Sequence, residues 1–252
     1  TYSVQAFLKP LLLPSKMGFV LADGSRLQNN FKIDKMEFAV HDTSWQPVWG
    51  TDKNIRDRYN KLAVHLSEKD SLKRKLIIEF RAYNDGVAFR YLFPKQANLT
   101  DFKISDELTE FNLNSDFDSW WIERDFDSYE KLFQSTPVSK IDATQTPLTC
   151  KAESGIHLSI HEAALTDYAS MTLVNKGSST LLECDLVPWP DGVKVVAKAP
   201  LKTPWRTIQI AGKAGDLLES HLIENLNEPC KIEDTSWIKP MKYVGIWWGM
   251  HI

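Results

Sequence analysis

The richest chemistry in the sequence lies in "GIHLSIHEAALTDYASM", residues 155–171. Ile156, Leu158 and Ile160 alternate with His157, Ser159 and His161, the period-two pattern of a strand with one buried face. The strand runs straight into Glu162, followed by the small Ala163 and Ala164. A carboxylate at a strand end with nothing bulky in front of it is open to a bound ligand. The commoner fate of such a residue is to be satisfied by a neighbouring Arg or a backbone N–H at a sheet edge, and spacing alone favours that outcome. His161-Glu162 starts like the metalloprotease motif H-E-x-x-H, but Leu165 stands where the second His is required, so a zinc protease of that type is excluded.

Two further stretches mix aromatic and charged residues. In "DTSWQPVWGTDKNIRDRYNKL", residues 42–62, Trp45 and Trp49 bracket Pro47 and precede Arg56, Asp57, Arg58 and Tyr59. Such aromatics stack on sugars or bases, and planar Arg and Asp groups hydrogen-bond hydroxyls. A long loop packed against a neighbouring domain is the preferred reading. In "DFDSWWIERDFDSYEK", residues 116–131, Asp116, Asp118, Asp125 and Asp127 have the chemistry for calcium, yet the Gly and Glu of an EF-hand loop are missing. These acids are expected to be solvated or paired with Arg124. Signatures of nucleotide cofactors, P-loops, serine hydrolases and deaminases are not found.

The elements that must position these residues are strands. Residues 76–93, "LIIEFRAYNDGVAFRYLF", read as a hairpin turning at Asn84-Asp85-Gly86. Further strand patterns recur at 35–40, 62–66, 110–114, 156–160, 170–174, 180–187, 193–197 and 206–211. That spacing predicts an all-β sandwich. Only "GDLLESHLIENLN", residues 215–227, has helical periodicity, with Leu217, Leu218, His221, Leu222 and Leu226 on one side and Asp216 as N-cap. The proline-containing stretch 228–240 reads as a linker, which places a boundary near residue 232.

Composition narrows the partners. The 252 residues are 43% hydrophobic and 25% charged with a net charge of −3, as in ordinary globular chains, and carry no basic stripe for nucleic acid. Cys150, Cys184 and Cys230 lie far apart; three small buried or half-buried residues are expected rather than a disulfide framework, with one bridge plus an odd thiol as the alternative. No apolar stretch approaches the ~20 residues that span a bilayer. The opening residues, "TYSVQAFLKP", do not form a signal-peptide core, so any targeting signal is expected outside this chain. The sequence ends on "KPMKYVGIWWGMHI", whose near-continuous hydrophobicity suits a strand covered on both faces.

Several stretches together resemble glycoside hydrolase family 97, bacterial α-glucosidases and α-galactosidases built from an N-terminal β-super-sandwich, a central (β/α)8 barrel and a C-terminal β-domain. They are "WQPVWG…IRDRYN", "YNDGVAFRY", "HEAALTDY", "TPWRTI", "NLNEPCKI" and "WIKPMKYVGIWWGM", in family order over residues 45 to 250. The resemblance implies a large β-super-sandwich with a short helix over residues 1–232. Residues 233–252 are then a linker and the first strand of a truncated barrel, the rest of which is absent. It implies that Glu162 helps coordinate a calcium ion beside catalytic carboxylates that the barrel supplies, so no catalytic residue is expected in this chain. Trp247 and Trp248 are expected to point to opposite faces of the barrel strand, and the resemblance favours Trp248 for the sugar side. The implied whole is a periplasmic or secreted, calcium-dependent, exo-acting α-glycosidase acting on oligosaccharides, in the inverting α-glucosidase branch, with this chain alone inactive. A retaining α-galactosidase of the same family is one alternative. The other is a stand-alone carbohydrate-binding sandwich using Trp45, Trp49 or Trp120 as stacking platforms.

Overall fold

The computed structural model describes residues 1–177 and 179–239. The run Tyr243–Ile252, with Trp247 and Trp248, lies outside the described residues. Strands dominate because short β-rich segments alternate with Gly, Pro, Asn and Asp turns throughout the chain. A ten-stranded sheet forms one layer. Across it, in order, lie Gln134–Pro137, Asp118–Trp121, Leu148–Lys151, His157–Ala163, Trp205–Ala211, Gly86–Phe93, Lys75–Tyr83, Ile55–Glu68 and Phe31–Trp45, with Leu201–Lys202 beside Gly86–Phe93. Two four-stranded sheets and the hairpin of Tyr2–Ala6 with Lys9–Ser15 make the opposing layer. One small sheet holds Asp101–Glu107 and the other holds Met171–Val174.

The core fills the space between the layers. Ile78, Phe89, Tyr91, Phe93, Leu158, Ile160 and Ile208 from the large sheet belong to the same buried cluster as Phe19, Phe102, Ile104, Phe111, Leu173 and Leu182 from the facing strands. Aromatic rings cross the seam: Phe19 meets Tyr91 edge-on at 4.6 Å between centroids, and Phe93 meets Phe102 at 4.9 Å. Such pairs add to area burial because a positive ring edge faces a negative ring face. Cys150 and Cys184 are buried free thiols, and Cys230 is a free, exposed one. Burial of the first two agrees with the expectation of small core residues.

At one margin the large sheet outruns its partner layer. Among the described residues the strand Phe31–Trp45 pairs only with Ile55–Glu68 and forms the sheet edge. Met36 and Phe38 lie opposite Val64 and Leu62, yet Met36, Phe38 and Val40 are 55%, 75% and 76% exposed.

The strands expected within the described residues are all present, and the structure adds others, among them Tyr2–Ala6, Lys9–Ser15, Asp101–Glu107, Asp118–Trp121 and Leu148–Lys151. Lys9–Ser15 escapes sequence patterning because Pro10 and Pro14 break its signal; Asp118–Trp121 sits inside a stretch whose acids suggest a loop. The expected helix over 215–227 is instead two short turns, Ala214–Leu218 and Leu222–Asn225. Asp216 does not cap: Lys213 occupies the N-cap position, and Asp216 lies in the first turn. The helix breaks because Ser220 turns its hydroxyl onto the Asp85 carboxylate and accepts the Leu222 N–H, tying the chain to the hairpin. Leu222 and Leu226 are buried against Trp205, Ala88 and Ala163, while Leu218 faces solvent.

The hairpin turns at Asn84-Asp85, and Gly86 opens the returning strand with φ of 156°. A Cβ there would press into the Ile208 carbonyl oxygen and crowd Leu222 at 3.0 Å, so glycine is required by the close approach of the Trp205–Ala211 strand. Gly86→Ala should therefore destabilise the chain by about 1–3 kcal/mol, the usual range for overpacking a tight site, measured as a lowered urea midpoint at unchanged slope.

Candidate functional site

Glu162 does not end its strand facing solvent. It lies directly opposite Arg206 on the neighbouring strand and continues the inward face of Leu158 and Ile160. Its Oε2 accepts from Arg206 Nη1 at 2.6 Å, and its Oε1 accepts the backbone N–H of Met171 at 3.0 Å. Arg206 also makes a two-pronged contact with Glu107 of the facing sheet, Nε to Oε1 at 2.8 Å and Nη2 to Oε2 at 2.6 Å. The side chains of Arg206 and Glu107 are 0% exposed and that of Glu162 is 5% exposed. Thr109 donates to Glu107 Oε1 at 2.8 Å and shares its hydroxyl with Tyr91, while Tyr168 donates to Glu107 Oε2 at 3.2 Å.

This is a charged knot buried between two sheets. Burial works against the Arg206 charge, but the adjoining Glu107 carboxylate outweighs it and holds the guanidinium protonated. Burial raises the Glu162 carboxyl above its ordinary value of 4.5, with Arg206 pulling the other way. Two carboxylates share one guanidinium, so the knot carries an excess of negative charge. His161, next in sequence, projects to the opposite face of the sheet, where its Nδ1 lies 3.0 Å from Thr146 Oγ1 and burial holds it below the usual imidazole value of 6.5. The two therefore do not act as a pair.

That opposite face is also charged. Glu79 accepts from Arg81 at 3.2 Å and Arg90 at 3.1 Å, and both guanidinium groups lie over the Trp205 ring at 4.6 and 4.3 Å. Trp205 Nε1 and Thr207 Oγ1 are buried there without a hydrogen-bond partner among the described residues. Trp45, which ends the strand Phe31–Trp45 rather than lying in a long loop, donates to Asn225 Oδ1 of the second short helix, and Trp49 in the following loop donates to the Ile238 carbonyl beyond it. Trp120 belongs to Asp118–Trp121, near the other margin of the sheet, so the three tryptophans do not share one platform. Arg124 pairs with Asp185 rather than with the acids of 116–131; Asp116 binds Ser139, and Asp125 caps the turn at Asp127 and Ser128. Among the described residues no group of three or more His, Cys, Asp or Glu side chains is arranged to hold a metal.

Comparison with known proteins gives the chain its family. A profile described as Glycosyl-hydrolase 97 N-terminal matches residues 1–229. The chain belongs to glycosyl hydrolase family 97. A family 97 enzyme from Pseudoalteromonas sp. strain K8, solved in complex with acarbose, superposes with a TM-score of 0.94 at 41% identity over 99% of this chain and 38% of that one. A single-residue variant of a family 97 enzyme from the same strain has been solved with panose. A retaining alpha-galactosidase of Bacteroides thetaiotaomicron is 24% identical over 99% of this chain and 41% of its own length. A probable retaining alpha-galactosidase of Streptomyces bingchenggensis is 23% identical over 95% and 36%. The family 97 chain thus spans about two-fifths of these relatives. The all-β sandwich and the family resemblance both stand.

Sequence reasoning singled out Glu162 but missed Arg206 and Glu107. The signal for Arg206 was its place in "WRTIQIA", where Arg206, Ile208 and Ile210 alternate on one face; an Arg in register with core residues demands a buried counter-charge. Glu107 carried no local signal, because its partner lies 99 residues away.

Removing the central charge should be costly. Arg206→Met should lower stability by about 3–5 kcal/mol, the usual effect of breaking a buried pair, and adding Glu107→Gln with Glu162→Gln should restore part of it; equilibrium urea unfolding of the single and triple variants measures both. A milder tie joins the Trp49 loop to the helical turns: His221 Nε2 lies 3.0 Å from Asp52, and Nδ1 bonds Glu224. Its Glu224 hydrogen bond, aided by Asp52, raises its pKa above 6.5. The contribution of this tie is then complete below 6.5 and lost as pH rises through the elevated value. Histidine resonances followed by NMR should titrate late, and amide exchange in residues 46–54 should accelerate over the same interval.

Proposed function

We propose that this chain is the N-terminal sandwich of a calcium-dependent, exo-acting α-glycosidase, of the α-glucosidase type, in which the catalytic carboxylates come from a barrel in the same polypeptide. The observation carrying this reading is family membership combined with a buried, negatively charged knot that ends on Glu162. In such an enzyme a protonated carboxylic acid serves the leaving oxygen. In the inverting course we propose, a second carboxylate activates water from about 6.5–9.5 Å away. The part we assign to this chain is support rather than bond cleavage. A boundary near residue 232, just beyond the family match at 229, separates sandwich from barrel in this reading.

Glu162 fits calcium as one ligand of several. Each of its oxygens accepts one hydrogen bond and retains a lone pair, and the excess negative charge of the knot favours a cation. The remaining oxygen ligands would be the barrel's. When bound, the ion would polarise substrate or neighbouring acids. Arg206 and the Met171 N–H fix the carboxylate so that it need not be ordered on binding. In the same reading Trp247 and Trp248 sit on the barrel's first strand, with Trp248 toward the sugar.

Glucoside preference is supported by the 41%-identical relative, whose ligands are acarbose and panose, the latter a glucose oligosaccharide. A retaining α-galactosidase is the second reading, favoured by the names of the two relatives near 24% identity. Periplasmic or secreted placement belongs to the proposal; among the described residues no helix is long and apolar enough to cross a membrane. Assays of the full-length protein on aryl α-glucosides and α-galactosides, with the product anomer read by NMR, separate the two readings. Glu162→Gln in that protein should weaken calcium affinity by about tenfold or more, measured by calorimetry, and lower turnover with circular dichroism unchanged. Unaltered affinity and turnover would remove Glu162 from the metal site.

A further inference from the structure

The loop after Glu162 leads to a second feature. Residues 164–170 pass from the Glu162 strand to Met171, whose N–H is bound by Glu162, and Tyr168 within them is held by Glu107. Opposite this loop, Trp189 stands between Pro188 and Pro190 on a tight turn. The turn is closed by the Trp189 N–H to Val193 carbonyl bond at 2.7 Å and the Gly192 N–H to Trp189 carbonyl bond at 2.8 Å. Asp191 Oδ1 accepts the Val193 N–H at 3.1 Å, stiffening it further. The turn presents the indole 64% exposed. Between turn and loop lies a groove of about 530 Å³, bordered by Asp167, Tyr168, Ser170, Trp189, Lys194 and Val196.

The groove's chemistry selects its ligand. An exposed, pre-set indole offers an apolar face at small entropic cost. The carboxylate of Asp167, exposed at a left-handed φ of 55°, has no hydrogen-bond partner among the described residues and is an acceptor for hydroxyl donors. Lys194 is spoken for: its ammonium bonds Asp185 at 3.0 Å and the Leu186 carbonyl at 2.7 Å. With that cation neutralised, nothing here favours a phosphate or sulfate, whereas an aromatic face beside a hydroxyl acceptor suits a neutral sugar.

We propose that the Trp189 groove, bordered by the loop that follows the Glu162 strand, is an accessory subsite that holds sugar units of an oligosaccharide remote from the bond that is cleaved. This rests on the glycosidase reading above. In the full-length protein, Trp189→Ala and Asp167→Asn should impose a penalty in kcat/KM that grows with substrate length. From an aryl monoglycoside to a tetrasaccharide of the preferred sugar, that penalty should widen about tenfold for Trp189→Ala, through KM, as for loss of a well-packed aromatic contact, while Trp189→Phe recovers most of it. A penalty independent of length would overturn the proposal. If the wild-type protein cleaves no glycoside, the glycosidase reading fails by itself, and calorimetry with maltotetraose and an α-galactotetraose then decides the subsite. Binding that weakens in Trp189→Ala supports it; no binding, or binding indifferent to the substitution, overturns it.

Discussion

A guanidinium sealed from water between two sheets constrains everything near it. Arg206 belongs to the large sheet and Glu107 to the facing layer, so their two-pronged contact locks the layers in one relative position. Apolar packing alone tolerates small slippage, since hydrophobic contacts are non-directional. A fork of N–H donors against a carboxylate does not, because both bonds fail together when the layers shift. Desolvating the three groups is expensive, and the arrangement is favourable only with every strong donor and acceptor engaged. Thr109, Tyr168 and the Met171 N–H complete that engagement.

The same contacts place the functional candidates. Glu162 lies one residue from the end of its strand, fixed by a side-chain donor from its own sheet and a backbone donor from the other layer. Tyr168 ties the following loop to Glu107, and the Trp189 turn packs opposite that loop. The rigid part of the molecule thus extends to the side chains that would meet a ligand, an economical way to hold a carboxylate ready without a bound ion.

Much of the architecture was legible because strands announce themselves by period-two alternation: 75–83, 86–93 and 205–211 are near their expected bounds. The prolines of Lys9–Ser15 hid a strand that forms a local hairpin with Tyr2–Ala6, and the acids around Asp118–Trp121 hid one that pairs with Leu148–Lys151 further along the chain. The helix over 215–227 failed because periodicity does not register Ser220, whose hydroxyl is diverted to Asp85. At the site, "HEAALTDY" pointed to Glu162, and both ordinary partners foreseen for it, an Arg and a backbone N–H, are present. Which Arg, and that Glu107 stands behind it, depends on contacts 44 and 99 residues apart in the chain. Local pattern carries no record of these.

The open margin at Phe31–Trp45 bears on how such a chain is made and kept in solution. Fifteen residues of edge strand have no second strand beside them among the described residues, which leaves outward backbone groups able to template another strand, and Met36, Phe38 and Val40 add a sticky stripe. Lys32, Asp34, Lys35 and Glu37 crowd the same strand, interrupting the apolar run with charge of both signs. Charges placed on an edge strand oppose its pairing with a second strand. Replacing them with neutral residues would turn a manageable edge into a nucleus for aggregation, a burden felt in yield and shelf life before any change in the folded site.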